Sequence, residues 1–180
     1  DIELIRSLIE KYAPIKLFGH ELCGAIVEIG AGVKNFKVGD RVAAMSTAPC
    51  HECPACLSGH PEYCRKALLL GRHIPGGFNE YVALPADILV KLPPSVDDNQ
   101  GASIQPASES VSGVAAAELK MGDRVAVLGQ GVMGNYIMQI ANVSGAGKVI
   151  TTDVRDEALK LSKDLGADVV IDARKENVEK

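Results

Sequence analysis

The sequence predicts a mixed α/β chain, in which a β-rich first part is followed by a unit of alternating parallel strands and helices. Before residue 105, apolar residues come in short runs separated by Gly and Pro, which is typical of short strands joined by turns. After residue 105, strand-length apolar runs alternate with segments of helical period, and this order predicts a parallel sheet. A third observation, four cysteines in one short segment, predicts a metal-stabilised loop within the first part.

Composition limits the classes of protein to which the chain can belong. Its 180 residues are 47% hydrophobic and 4% aromatic with a net charge of −4, so neither a disordered chain nor a nucleic-acid partner is expected. No apolar run approaches the roughly 18 residues that a membrane span requires, and the first residues lack a secretory pattern. We therefore expect a cytoplasmic protein with a small-molecule partner and no membrane partner.

Four apolar runs in the first part have the length of strands: residues 22–30, 41–45, 78–84 and 88–93. Residues 1–11 are an exception, because their apolar positions recur at helical spacing. Residues 58–72 show no clear period and are expected to form a loop. We place the first domain at 1–105.

The second domain, 106–180, is predicted to alternate helix and strand. An Ala-rich stretch favours a helix at 111–119, before the turn at Met121-Gly122-Asp123. The apolar periodicity then predicts strands at 124–128, 148–152 and 168–171, and helices at 132–143 and 156–165.

The cysteine pattern favours a structural zinc site. Cys50, Cys53, Cys56 and Cys64 offer four thiolates within one turn and the following loop, and a structural zinc ion takes four such ligands tetrahedrally. An iron–sulfur cluster is an alternative, although its usual motif continues with C-x₃-C-P, whereas here the last gap is seven residues. Reduced or disulfide-linked thiols are a third possibility. Four sulfurs satisfy a zinc ion, so His51 and His60 are expected to be surface residues.

A glycine-rich turn lies between a predicted strand and a predicted helix. In a dinucleotide-binding turn of this pattern, Gly129 allows the tight bend, Gly131 lets the backbone approach a pyrophosphate and Gly134 lets helix and strand pack closely. The first helical residues, Val132 and Met133, offer free N–H groups to the phosphates.

Asp153, at the end of the next strand, is placed to bind the hydroxyls of an adenosine ribose. Its carboxylate would repel a 2′-phosphate, which favours NAD over NADP, although the nearby Arg155 keeps NADP open. Asp153 also fits the N-cap of the following helix, and both roles can coexist.

Residues 19–42, which begin Gly19-His20-Glu21, resemble the signature of the zinc-containing medium-chain alcohol, polyol and threonine dehydrogenases. With the cysteine segment, the run GGFNEYV at 76–82 and the glycine turn, the resemblance extends over essentially the whole chain. It implies a partial GroES-like catalytic domain at 1–105, followed by the first half of a Rossmann NAD-binding domain. It also implies a structural and a catalytic zinc.

The resemblance further implies the catalytic zinc ligands. His20 is a ligand in the family, and Glu21 lies beside the metal. Polyol-type members contribute the glutamate of a Glu-Pro pair, but this chain has Gln105-Pro106. The candidates for this ligand are therefore Gln105, Glu109 one helical turn on, and Glu21. Cys23 is expected to be a buried thiol.

The resemblance implies a family cysteine ligand just before Asp1, and a missing second half of the nucleotide domain. The complete enzyme would transfer a hydride between a secondary alcohol or polyol and NAD, as a dimer or tetramer, whereas residues 1–180 alone are expected to be inactive. Two rival hypotheses are a zinc-independent medium-chain reductase and a non-catalytic module with only structural zinc. Gln105 supports the second rival.

Overall fold

A computed structural model describes residues 18–175, so the helix predicted at 1–11 lies outside the described residues. The chain divides into two compact units, Asp1–Gln105 and Pro106–Lys180. Within the described residues, no helix has the length and apolar character needed to cross a bilayer.

Unit 1 is built from short strands, as its broken apolar runs predict. Its described strands are β1 (Cys23–Ala25), β2 (Arg41–Ala44), β3 (Thr47–Ala48), β4 (Leu68–Leu69) and β5 (Leu89–Lys91). One antiparallel sheet has the order β1-β2-β5, and β3 pairs with β4 in a second. One cluster of buried apolar side chains in this unit comes from strands and connecting segments alike: Ala44, Ala48, Leu70 and Ile88.

Short helices connect these strands. They are α1 (Pro54–Leu57), two 3₁₀ turns (Pro61–Tyr63 and Ala86–Ile88) and α2 (Asp98–Ala102). A capping box begins α2, because the Asp97 carboxylate accepts from the Gln100 N–H at 2.8 Å and the Gln100 side chain accepts from the Asp97 N–H at 3.0 Å.

Two expectations for unit 1 were wrong. Residues 78–84 form no strand, because Phe78 N–H bonds to the Phe18 carbonyl but no further ladder follows among the described residues. The segment 58–72 is not all loop, since it contains a 3₁₀ turn and β4.

Unit 2 has the predicted alternation of helix and parallel strand. Its elements are α3 (Ile104–Ala116), β6 (Arg124–Leu128), α4 (Val132–Val143), β7 (Lys148–Asp153), α5 (Asp156–Asp164) and β8 (Val169–Asp172). The sheet order is β6-β7-β8, and both pairings are parallel. Helix α3 begins seven residues before its predicted start, since Pro106 falls in its first turn, where proline is tolerated.

The core of unit 2 fixes the register that positions its carboxyl edge. Val127, Met138 and Val149 pack together from β6, α4 and β7. A buried 2.7 Å hydrogen bond between the Thr151 and Ser162 hydroxyls adds a link from β7 to α5. The glycine turn that follows β6 therefore lies beside the end of β7.

Candidate functional site

The four predicted zinc ligands form one cluster. Their Sγ atoms all lie within 4.8 Å of one another, and Cys53 is 3.5 Å from Cys56 and 3.8 Å from Cys64. Four thiolates bound about 2.3 Å from a central zinc lie about 3.8 Å apart, whereas a disulfide brings two sulfurs to about 2.05 Å. The cysteines are free thiols, so the geometry fits a tetrahedral metal site and not a pair of disulfides.

The electrostatics of the cluster also suit a cation. A hydrogen bond from the backbone N–H of Cys56 lowers the pKa of the Cys53 thiol to about 6. The pKa of Cys56 is raised to about 12, first by desolvation and then by the neighbouring Cys53 sulfur. Thiolates this close repel one another, and a divalent cation at their centre allows all four to ionise together.

Local backbone features hold the cluster. Cys53 is the N-cap of α1, with Pro54 at its first position, so the helix starts at a ligand. His51 adopts a left-handed φ of 57°, which bends the chain between the first two ligands, and its Nε2 lies 2.5 Å from Asp87 Oδ2. As predicted, His51 and His60 are exposed and belong to no metal-ligating group among residues 18–175.

The Gly19-His20-Glu21 segment is fixed through its backbone. Gly19 has a φ of 91°, and its carbonyl accepts from the Gly77 N–H at 2.9 Å. A Cβ on Gly76 would lie 2.2 Å from that same carbonyl oxygen, so only glycine permits the approach. The backbone is therefore held while the His20 and Glu21 side chains remain exposed.

The other candidate ligands occupy different environments. Cys23 is half-buried on β1, where its Sγ donates to the Asp98 carbonyl at 3.1 Å, and desolvation raises the pKa of its thiol. Gln105 is buried, at 7% exposure, in the first turn of α3. Glu109 lies one turn further along and is exposed.

The glycine turn has the geometry that its motif predicts. Gly129 has a φ of 86°, and a Cβ on Gly134 would lie 1.9 Å from the Gly129 carbonyl oxygen, so helix and strand approach closely only with glycine. A Cβ on Gly131, in contrast, would meet no atom within 4 Å. Gly131 is the N-cap of α4, and no side chain caps that helix.

The start of α4 therefore leaves donors available to an anion. The helix N-terminus carries partial positive charge, and Val132 and Met133 occupy its first two positions. Beside it, the buried amides of Gln130 and Asn135 donate to carbonyls of the turn. Their oxygens, Gln130 Oε1 and Asn135 Oδ1, have no partner among the described residues. The uncapped N–H groups at the start of α4 fit the phosphates of a dinucleotide, whereas these two oxygens are acceptors and would need a donor.

Asp153 ties the end of β7 to the turn. Its Oδ2 accepts from the Gln130 N–H at 2.7 Å, and its Oδ1 accepts from the N–H groups of Val154 and Arg155, each at 2.8 Å. The Arg155 guanidinium also contacts both oxygens, at 3.1 and 3.2 Å. This ion pair, with desolvation opposing it and the backbone donors adding to it, holds the pKa of Asp153 well below its usual range.

Two protein-family models match this chain and identify its family. The alcohol dehydrogenase GroES-like domain matches residues 1–94, and the zinc-binding dehydrogenase domain matches residues 132–180. The chain belongs to the zinc-containing medium-chain dehydrogenase family. The Cys₄ cluster thus has the composition and geometry of a structural zinc site, as predicted.

Several known proteins are similar to this chain. L-threonine 3-dehydrogenase from Protochlamydia amoebophila (strain UWE25) is 37% identical over 171 residues, covering 94% of this chain and 50% of that protein. Galactitol-1-phosphate dehydrogenase from Escherichia coli has a crystal structure with a TM-score of 0.86 and 29% identity, covering 96% of this chain and 51% of that chain. A protein from Sinorhizobium meliloti 1021, described as a zinc-binding dehydrogenase and bound to NADP, gives a TM-score of 0.85 at 34% identity, covering 89% and 47%.

The chain spans about half the length of the curated relatives that it matches. The mixed α/β class, with a GroES-like domain followed by the start of a nucleotide-binding domain, is confirmed. The roles of His20, Glu21, Gln105 and Asp153 stay predictions.

Sequence reasoning missed three residues that shape these sites. His51 serves the cluster as a bend, and its partner Asp87 is 36 residues away, so no local pattern marks the pair. Lys66 lies near the thiols and bonds to Glu52 at 2.8 Å. Phe78 packs against the Gly19 backbone, and the GGF run was the one signal that could have indicated it.

Proposed function

We propose that this chain is part of a zinc-dependent alcohol or polyol dehydrogenase that uses NAD or NADP, with residues 1–105 as catalytic domain and 106–180 as nucleotide-binding domain. One observation carries the proposal: His20 and Glu21 are exposed on a backbone that Gly76 and Gly77 hold in place, in a chain that belongs to a zinc-binding dehydrogenase family. A catalytic metal needs such a ligand, fixed at its backbone but open to substrate.

In this proposal His20 donates a ring nitrogen to the catalytic metal, and Glu21 places a carboxylate beside it. Gln105 supplies a neutral oxygen where polyol-type relatives have a carboxylate, so the ligand set carries less negative charge. When bound, zinc supplies a Lewis acid for an alcohol oxygen and the nicotinamide supplies a hydride acceptor. In this proposal the side chains of His20, Glu21 and Gln105 hold and orient the bound metal.

The turn between β6 and α4 supports the proposed nucleotide-binding role of residues 106–180. The uncapped N-terminus of α4 offers N–H groups to a pyrophosphate, and the open space at Gly131 lets it approach. Asp153 stands at the end of β7, where an adenosine ribose would lie.

The names of two similar proteins support a proposal for the substrate class. Threonine and galactitol 1-phosphate, named for two similar proteins, are both small polar molecules with hydroxyl groups. We propose a secondary alcohol of this polar kind, and a homo-oligomer as the assembled enzyme.

A His20→Ala substitution in the native protein tests the catalytic zinc. We expect metal analysis to fall from two zinc ions per chain to one, NAD-dependent alcohol oxidation to be lost, and nucleotide binding to persist. His60→Ala is the matched control, because His60 is exposed and contacts Glu62 at 3.0 Å outside the cluster. Undiminished turnover in His20→Ala would contradict the proposal, and a single zinc in the unchanged protein would favour the module with only structural zinc.

A further inference from the structure

Three consecutive carbonyl groups of the glycine turn are bonded to buried side-chain amides. The Gly129 carbonyl accepts from the Gln130 side chain, whose Nε2 lies 3.1 Å from the oxygen. The carbonyls of Gln130 and Gly131 both accept from Asn135 Nδ2, at 3.0 and 2.9 Å. Gln130 is 2% exposed and Asn135 is 9% exposed, so these contacts tie the turn carbonyls to the interior of unit 2.

The N–H groups of the turn divide into two sets. Those of Gly129 and Gln130 are used within unit 2, since they donate to the Thr152 carbonyl at 2.8 Å and to Asp153 Oδ2 at 2.7 Å. The first N–H groups of α4 have no helical acceptor before them, and no described side chain caps them. An approaching ligand therefore meets N–H donors, while the turn carbonyls are already bonded elsewhere.

Glycine makes this arrangement only one of several that the backbone of the turn allows. Without a Cβ, Gly131 can adopt φ values of either sign, so the peptide group between Gln130 and Gly131 can rotate at little steric cost. Such a rotation would point the Gln130 carbonyl oxygen toward a bound phosphate, and the two negative groups would repel each other. The Asn135 amide opposes the rotation, because the rotation would break its contact with that oxygen.

The two amides carry a cost in stability that apolar residues would not. Gln130 Oε1 and Asn135 Oδ1 have no hydrogen-bond partner among the described residues. A buried acceptor without a donor is destabilising, and an apolar side chain of similar size avoids that penalty. The stability of unit 2 alone therefore does not account for both amides, whereas their N–H donors have a clear effect on the conformation of the turn.

We propose that Gln130 and Asn135 are positioning residues, which hold the turn carbonyls inward so that the free N–H groups of α4 meet a pyrophosphate in a preformed arrangement. The inference rests on the proposed nucleotide-binding function of residues 106–180. It assigns a role to two side chains that are not glycines of the motif and that act through the backbone of the turn. A preformed site binds more tightly, because less conformational entropy is lost when the ligand binds.

An Asn135→Leu substitution in the native protein tests the inference by calorimetric titration with NAD⁺ and with ADP-ribose. Both ligands contain the pyrophosphate and should bind about tenfold more weakly, since the turn must then be ordered on binding. Adenosine has no phosphate, so its inhibition constant in competition with ADP-ribose should be unchanged. The urea midpoint should stay close to that of the unchanged protein, because removal of the unpartnered oxygen offsets the lost hydrogen bonds.

Gln139→Leu is the matched control. It makes the same chemical change one helical turn further along α4, where the Gln139 amide donates to the Asn135 carbonyl at 3.0 Å and not to the turn. All three ligands should bind this variant as they bind the unchanged protein.

Gln130→Met is an independent check, because methionine has a similar shape and flexibility but no N–H donor. We expect the same selective loss of affinity for NAD⁺ and ADP-ribose. The inference is overturned if either folded variant binds NAD⁺ with unchanged affinity, or if adenosine loses as much affinity as ADP-ribose. If the unchanged protein binds neither NAD⁺ nor NADP⁺, the proposed function is itself wrong and the inference falls with it.

Discussion

At the residue scale, substitutions of single cysteines distinguish the zinc ligands from the cysteine that lies outside the cluster. Cys56 lies 3.5 Å from Cys53 within the cluster, whereas Cys23 lies outside it and donates to a backbone carbonyl. Cys56→Ser replaces a soft thiolate by a hydroxyl that zinc binds poorly, so we expect one zinc fewer per chain and loss of amide protection over residues 50–64. Metal analysis and hydrogen exchange measure both.

Cys23→Ser is the control for that experiment. A serine at this position can still donate to the Asp98 carbonyl, so zinc content and protection of the cluster should stay unchanged. A Cys56→Ser protein that kept its full zinc content would show that the metal is held by other groups.

Residues whose partners are near in sequence could be predicted, and those with distant partners could not. Zinc ligand spacing is local, so the four cysteines were identifiable from their pattern alone. The contact of Asp153 with the Gln130 N–H joins residues 23 apart, and its saturation by Arg155 depends on side-chain rotamers. The sequence indicated where Asp153 lies but not what its carboxylate already binds.

At the element scale, we expect different glycines of the turn between β6 and α4 to serve stability and nucleotide binding. A Cβ on Gly134 would lie 1.9 Å from a backbone oxygen that cannot retreat without opening the turn. Gly134→Ala should therefore destabilise the protein by about 3 kcal/mol, at the upper end of overpacking costs. Urea unfolding followed by circular dichroism measures this loss.

Gly131→Ala, three residues before Gly134, is the matched variant. Its φ of −75° suits alanine and its Cβ would meet no atom within 4 Å, so the cost should be about 1 kcal/mol or less. Nucleotide binding should weaken, however, because the methyl group occupies the approach of the pyrophosphate. Equal stability losses in the two variants would contradict this division of roles.

Elements with a strong period were predicted well and irregular ones poorly. The bounds predicted for β6 and α4 agree with the structure, since a buried apolar run, a glycine turn and a helical period follow one another. Residues 78–84 have the alternation of a strand, but a strand also needs a neighbour to pair with. The tertiary fold determines which strands pair, and the periodicity of the sequence does not predict it.

At the scale of the whole molecule, acid should destabilise unit 2 through the carboxylates that end β7 and β8. The pKa of Asp153 is lowered chiefly by Arg155, and that of Asp172 chiefly by Arg174. A carboxyl whose folded pKa lies below the unfolded value near 3.9 contributes stability that is complete above about pH 5 and is lost as the pH falls. We expect amide protection in β7 to decline from about pH 5 downward.

Asp153→Asn isolates this contribution. The variant should lose about 2 kcal/mol at neutral pH, since the Gln130 N–H no longer meets a charged acceptor, and its pH dependence should be shallower. Asp164→Asn, at the exposed end of α5, is the control and should follow the unchanged protein. Identical pH profiles for Asp153→Asn and the unchanged protein would exclude Asp153 as a source of acid sensitivity.

Gly131 and Gly134 should differ in how freely related proteins can replace them. Gly134 is required by the packing of a strand on a helix, so every descendant that keeps this fold is bound to keep a glycine there. Gly131 faces open space, so in the proposed function only the bound nucleotide requires a glycine there. A related protein that no longer binds the nucleotide is therefore expected to accept other residues in place of Gly131 while it keeps Gly134.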